Sequence, residues 1–332
     1  MLQQTQAATV VPYYRRFIRR FPNVRRLAAA PLDDVLQVWT GLGYYARARH
    51  LHRAAKMIVE EFGGVLPRTA EALRRLPGVG AYSAAAVASI AFGQPTAVVD
   101  GNVKRVVARL YGLRDDVSRP AGLRRVTAHA QMTMPARRCG DFNQAMMELG
   151  ASICRPAAAA RCAACPLKTD CAARAAGDVA KLPLKGRKGD VRSETHVVAA
   201  LTRNRRWLVL QRPADGLWGG LWELPCRRTD SRRHRQAAMR LADEVTDGRA
   251  LLESRRFCDV TQTLTHRRIR FVGYPGTVAG ATPRRVTRAS LRGRLRWATL
   301  EQIGELPMSR GMKDIVKALS DRTSDRRGSS AD

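Results

Sequence analysis

The apolar residues of this chain change period once, and that change limits the folds open to it. Up to about residue 175 they recur every three to four positions, as in "TAEALRRL" (69–76), "AYSAAAVASIAF" (81–92), "GNVKRVVARLY" (101–111) and "RCGDFNQAMMELGASI" (138–153). Such spacing puts an apolar stripe on a helix, and other helices must cover it. "DDVLQVWTGLGYYARARHLHRAAKMIVEEF" (33–62) keeps the period, broken near Gly41 and Gly43. Asp100 and Asp141 stand where helix N-caps belong, since a short carboxylate accepts first-turn N–H groups. This half shows no convincing strand. Beyond it come short β-like runs, "THVVAALTR" (195–203), "RWLVLQR" (206–212), "IRFVGYPGTV" (269–278) and "LRWATL" (295–300). One helical segment, "RRHRQAAMRLADEV" (232–245), lies among them. The expected organisation is an all-α domain over 1–178, a basic linker over 179–194, an α+β domain over 195–320 and a polar, unstructured tail over 321–332.

The charge balance adds a partner. There are 59 Lys and Arg against 28 Asp and Glu, a net charge of +31. Compositional bias towards arginine accounts for that number on its own terms; a polyanion that gains from phosphate neutralisation is the sharper reading. No run of about twenty apolar residues exists, as a membrane span requires, and no signal-peptide pattern is visible. Four of the seven cysteines crowd into residues 154–171, which suits a metal site in a reducing compartment better than a disulfide framework. The protein is expected to be cytoplasmic and associated with the nucleoid.

"LPGVG" (76–80), set between two helical segments, is a tight connector. Gly78 and Gly80 permit conformations and close approaches that a Cβ forbids, and the N–H groups there can converge on one anion. A glycine-rich turn without a ligand has the same sequence. Cys154, Cys162, Cys165 and Cys171 are separated by seven, two and five residues, a spacing that suits Zn²⁺ and an iron–sulfur cluster equally. Cys139, Cys226 and Cys258 read as core thiols.

A family resemblance sharpens these readings. "LPGVG" with its small-residue helix is similar to the hairpin of helix-hairpin-helix DNA glycosylases, and "VVDGNVKRV" (98–106) to their catalytic aspartate segment. With "MLQQTQAATVVPYYRRF" (1–17), "PLDDVLQVWTGLGYYARARHLHRAA" (31–55) and "FNQAMMELGA" (142–151), the chain resembles the MutY-type adenine DNA glycosylases rather than their endonuclease III relatives. The resemblance covers roughly 1–320 and is strong through 175. It implies an all-α glycosylase domain with an iron–sulfur loop, followed by a Nudix-like α+β domain.

The resemblance also implies roles. Asp100 faces the extruded nucleotide and stabilises the charge that develops on the sugar, with Asn102 beside it. Tyr82 occupies the position of the lysine that lyase relatives use to form a Schiff base; having no amine, it implies a monofunctional glycosylase. Gly78, Gly80 and Lys104 contact DNA, Gln3, Gln4 and Thr5 lie at the opened base pair, and Tyr44 wedges into the stack. The four clustered cysteines hold a [4Fe–4S] cluster, although the first gap is one residue longer than the family's usual six. Leu264, Thr265 and His266 stand where the family's 8-oxoguanine-sensing loop reads Phe-Ser-His. "LVLQRPADGLWGGLWELP" (208–225) resembles the opening strands of a Nudix fold, while "RQAAMRLADEV" (235–245) lacks the Glu-rich pattern that holds Mg²⁺.

The implied substrate is duplex DNA with adenine opposite 8-oxoguanine or guanine, bound by a monomer. A family glutamate that protonates the leaving adenine stands two residues ahead of the position of Met1. Either the start is assigned too late, or the chain is a truncated and impaired form. An endonuclease III-like lyase and a lesion-binding protein without catalysis remain as alternatives.

Overall fold

The computed structural model describes residues 1–3, 5–186, 191–214, 216–280, 285–286 and 293–328. Its first half is helical: α1 (Ala7–Arg20), α2 (Val24–Ala29), α3 (Leu32–Trp39), α4 (Ala46–Glu61), α5 (Ala70–Arg74), α6 (Ala81–Phe92), α7 (Gly101–Leu110), α8 (Pro120–Met132), α9 (Cys139–Ser152) and α10 (Ala172–Ala175). The second half supplies β1 (Arg192–Arg203), β2 (Arg206–Gln211), β3 (Trp222–Glu223), β4 (Cys226–Thr229), α11 (His234–Thr246), β5 (Ala250–Leu252), β6 (Cys258–Thr263), β7 (Arg267–Val278), β8 (Arg285–Val286), β9 (Gly293–Ala298), α12 (Leu300–Gly304) and α13 (Arg310–Gly328). The fold class is the expected one, helices throughout the first half and an α+β arrangement in the second.

Two compact units emerge, Arg53–Gly189 on one side and Met1–His52 with Asp190–Asp332 on the other. The first 52 residues group with the C-terminal half. Side-chain chemistry explains this. Tyr45 Oη donates to Met308 O at 2.9 Å, Arg49 Nη1 to Gly219 O at 2.7 Å, and Gln211 Nε2 to Asp33 Oδ1 at 2.6 Å. Gly220, at φ +74°, leaves room for Leu36: a Cβ there would lie 3.1 Å from its Cδ1.

In the unit Arg53–Gly189, α7 buries Val103, Val106 and Val107, the i, i+3, i+4 stripe its sequence promised. α9 approaches closely because two of its residues lack a Cβ. A Cβ on Gly140 would come within 2.9 Å of Ser89 O, and one on Gly150 within 2.6 Å of Asn102 Cβ. Asp141, expected as an N-cap, is instead the third residue of α9; Arg138 precedes the helix at φ +56° and pairs with Asp141 at 2.8 Å.

The other unit is built on a sheet of order β5-β7-β1-β2-β9-β8, with β3 beside β2, β4 beside β1 and β6 beside β7. β1 and β7 are parallel and the other pairs antiparallel. Val197–Leu201 is buried throughout, as suits a central strand covered on both faces. Ala238, Leu241, Ala242 and Val245 of α11 pack on Val197, Ala199, Leu201 and Val272. Phe271, one residue out of phase with Val272, faces the other side, where Gly311 of α13 lies against it. α13 overturns one expectation: it carries helix through 321–328, where an unstructured tail was anticipated, while 329–332 lie outside the described residues. Met312, Ile315 and Leu319 anchor it, and Arg322 pairs with Glu253.

Candidate functional site

The expected site residues fall in both units. In Arg53–Gly189, α5 is capped by Thr69, whose Oγ1 accepts from Ala72 N, and buried Leu73 and Leu76 anchor the chain before the turn. Gly78 has φ +77° and needs to be glycine. Gly80 differs from expectation. Its φ is −80°, and a Cβ there would meet nothing within 4 Å, so neither conformation nor packing in the free protein demands glycine. As N-cap of α6 it brings no side chain to the first-turn N–H groups, which leaves that helix end open to an anion.

Asp100 caps α7. Its Oδ1 accepts from Asn102 N at 2.8 Å and Val103 N at 2.7 Å, and its Oδ2 accepts from Asn102 Nδ2 at 3.1 Å. Three donors thus hold a half-buried carboxylate in one orientation at the positive end of a helix. Tyr82 is 40% exposed on the first turn of α6, with its hydroxyl 3.7 Å from Met147 Sδ. Burial, and then the neighbouring Asp100 carboxylate, raises its phenol above the ordinary value. The phenol is therefore neutral at pH 7, neither an amine nor a phenolate nucleophile. Lys104 is half-buried one turn further along α7.

A buried arginine ties this cap to the cysteine loop. Arg105 Nη2 donates to Asn102 Oδ1 at 3.0 Å and to Gly150 O at 2.6 Å, while Nε donates to Cys154 O at 2.7 Å. One turn on, fully buried Arg109 donates through Nη1 to Cys154 Sγ at 3.4 Å and to Arg155 O at 2.8 Å. Sequence reading missed both. The available signal was two arginines at i, i+4 beside the valine stripe of a helix otherwise buried on that side.

Cys154, Cys162, Cys165 and Cys171 line one pocket, with Arg109, Lys168 and Arg174 at its edge. Among the described residues no three His, Cys, Asp or Glu side chains are close enough for a single metal ion. Four thiols lining one cavity are a donor set of the kind that binds a metal or an iron–sulfur cluster. Cys139, Cys226 and Cys258 are buried, as expected of core thiols.

In the other unit, the loop after α3 turns through Gly41 (φ +99°), Gly43 (φ +76°) and Tyr44 (φ +48°) before α4 begins. Tyr44 is 48% exposed, and its hydroxyl lies 2.9 Å from Thr265 Oγ1. Thr265 and His266 form the exposed tip of the β6–β7 hairpin, closed by Leu264 N donating to Arg267 O at 2.8 Å, with Leu264 half-buried. Gln3 and Thr5 precede α1; Gln4 lies outside the described residues. On α11, where a Nudix hydrolase would carry metal-binding glutamates, Glu244 is held by both terminal nitrogens of Arg227 at 2.8 and 2.6 Å.

Comparison with known proteins matches both halves. Residues 1–126 match the HhH-GPD superfamily base excision DNA repair protein and residues 196–318 the NUDIX domain. The chain is 34% identical over 365 residues to the adenine DNA glycosylase of Homo sapiens, covering 96% of this chain and 66% of that protein. It is 34% identical over 376 residues to that of Rattus norvegicus, covering 99% and 71%. Among solved structures, a thermostable thymine-DNA glycosylase aligns over 53% of this chain and 80% of that chain at 29% identity and TM-score 0.48.

Proposed function

The chain belongs to the adenine DNA glycosylase family, and on that premise we propose that it removes adenine from mispaired duplex DNA by hydrolysing the N-glycosidic bond. The observation that carries this reading is Asp100 at the N-terminus of α7, anchored by three donors, with Tyr82 beside it where a lyase needs an amine. As the bond to adenine breaks, positive charge grows on the sugar. A fixed carboxylate that needs no reorganisation stabilises that charge more than it stabilises the neutral ground state. Without an amine, water completes the reaction and the strand stays whole.

The open end of α6 and the Gly78–Gly80 turn suit a backbone phosphate, which positions the duplex without reading sequence. Thr265 and His266, with the Tyr44 hydroxyl at hydrogen-bond distance from Thr265, are our candidates for telling 8-oxoguanine from guanine opposite the adenine. Cys154, Cys162, Cys165 and Cys171 would hold a [4Fe–4S] cluster, whose contribution is to cross-link the loop after α9 rather than to take part in bond cleavage.

Single-turnover reactions with protein in excess test the proposal. Duplexes carrying adenine opposite 8-oxoguanine should lose adenine to give an alkali-labile abasic strand that is uncut before alkali. Release of oxidised pyrimidines with spontaneous strand cutting would favour a lyase instead.

A further inference from the structure

Arg47, on the first turn of α4, belongs to none of the roles assigned above, yet it touches two separate stretches of chain. Its Nη1 donates to the carbonyls of Met1, at 2.7 Å, and of Gln3; its Nη2 donates to Thr5 Oγ1 at 3.0 Å and Gly43 O at 3.4 Å. The guanidinium carbon also lies 5.2 Å from the Tyr44 ring centroid and 5.6 Å from that of Trp39. Trp39 is 1% exposed and its Nε1 donates to Gly43 O at 3.1 Å, so it is a fixed platform for the cation.

These contacts matter because neither stretch is held by secondary structure. Met1, Gln3 and Thr5 precede α1, and Tyr44 sits at φ +48°, a left-handed conformation that costs a side-chain-bearing residue about 1–2 kcal/mol. We infer that Arg47 is a positioning residue: its single planar guanidinium sets the Met1, Gln3 and Thr5 backbone and the Tyr44 ring in one mutual arrangement before DNA arrives. The inference rests on the reading that these residues face the opened base pair. Lysine cannot replace arginine here. A point charge on a flexible stem reaches one or two of these acceptors and lacks the planar fork that meets several at once. Fixing the DNA-facing groups in advance lowers the ordering cost of binding, so its loss should fall on the specific complex.

Arg47→Lys, which keeps the charge, is the test variant, with Arg47→Met as a second. In the free protein, amide exchange in peptides spanning residues 1–6 and 41–46 should speed up about ten-fold or more, with β1 and β7 unchanged. Unchanged exchange in both peptides overturns the clamp. A duplex with 2-aminopurine in place of the adenine, opposite 8-oxoguanine, then reads extrusion of the base. The wild type should brighten on binding; Arg47→Lys should lose most of that rise while its affinity for undamaged duplex stays within about two-fold. Equal losses on both duplexes would make Arg47 an ordinary phosphate contact and overturn the inference. A wild type that binds without brightening would instead count against the base-removal reading, and the exchange result still decides the clamp.

Discussion

Arg105 donates to Asn102 Oδ1 at 3.0 Å, and Asn102 in turn donates to the Asp100 carboxylate at 3.1 Å. Because Arg105 also holds Cys154 O at 2.7 Å, one buried cation joins the candidate catalytic cap to the first cysteine of the cysteine loop. Replacing it with Met removes donors from the carbonyls of Gly150, which is buried, and Cys154, and should destabilise the protein by about 2–4 kcal/mol. Denaturant unfolding and iron content measured together check this: Arg105→Met should lower both, whereas an exposed Arg137→Met should change neither.

The hairpin glycines should separate stability from binding. Gly78→Ala forces φ +77° on alanine and should cost about 1–2 kcal/mol. Gly80→Ala meets nothing within 4 Å in the free protein, so thermal unfolding should be unchanged within about 0.5 kcal/mol. Its cost should appear as weaker binding to any duplex, because the added methyl occupies space a phosphate needs. A Gly80→Ala protein with wild-type DNA affinity would remove the hairpin from the interface.

Much of this architecture could be read from residues alone. The period of the apolar side chains located α6, α7 and α9, and Asp100 announced the start of α7 because an N-cap is a local device. The grouping of residues 1–52 with the C-terminal half was not legible, since it depends on Tyr45, Arg49 and Asp33 finding partners some 170 to 260 positions away. Arg105 and Arg109 escaped for a related reason. Arginine in a helix ordinarily signals solvent, and only the carbonyls of distant loops reveal that these two are buried. Helix through 321–328 was hidden by polar composition, because anchors at Met312, Ile315 and Leu319 lie upstream of the segment they support.

Glu223 supplies a pH dependence. It is buried in β3, and desolvation raises its pKa to about 7 even though both carboxylate oxygens accept from Arg212, at 2.8 and 2.9 Å. A carboxyl raised above its unfolded value contributes stability that is complete below the unfolded pKa and fades as pH rises through the folded one. Between pH 4.5 and about 7 that contribution should decline by about 3 kcal/mol. Glu223→Gln cannot titrate, so the stability difference between wild type and variant should shift by that amount between pH 5 and 8 in urea unfolding. A difference that is flat with pH would mean that Arg212 keeps the carboxylate ionised throughout.

The cysteine loop gives a compositional test. Purified protein should contain about four irons and show the brown colour of a [4Fe–4S] centre. Cys162→Ser should reduce iron and loosen the loop, whereas Cys226→Ser, at a core thiol whose pKa burial raises well above the ordinary value, should leave iron content unchanged. Stoichiometric zinc without iron would replace the cluster with a structural zinc site.

Asp100→Asn isolates charge from shape. The amide keeps an oxygen able to accept from Asn102 N and Val103 N, so α7 stays capped and the fold should lose no more than about 1 kcal/mol. What disappears is the negative charge that opposes the cation growing on the sugar, a term worth several kcal/mol in a preorganised site. Adenine release in single-turnover assays should therefore fall by about a thousand-fold or more, while the Kd for an 8-oxoguanine:adenine duplex changes by less than about three-fold. Borohydride should trap little covalent complex with either protein, because Tyr82 supplies no amine. Release by Asp100→Asn at near wild-type rate would move the stabilising charge to another carboxylate and leave Asp100 as a helix cap alone.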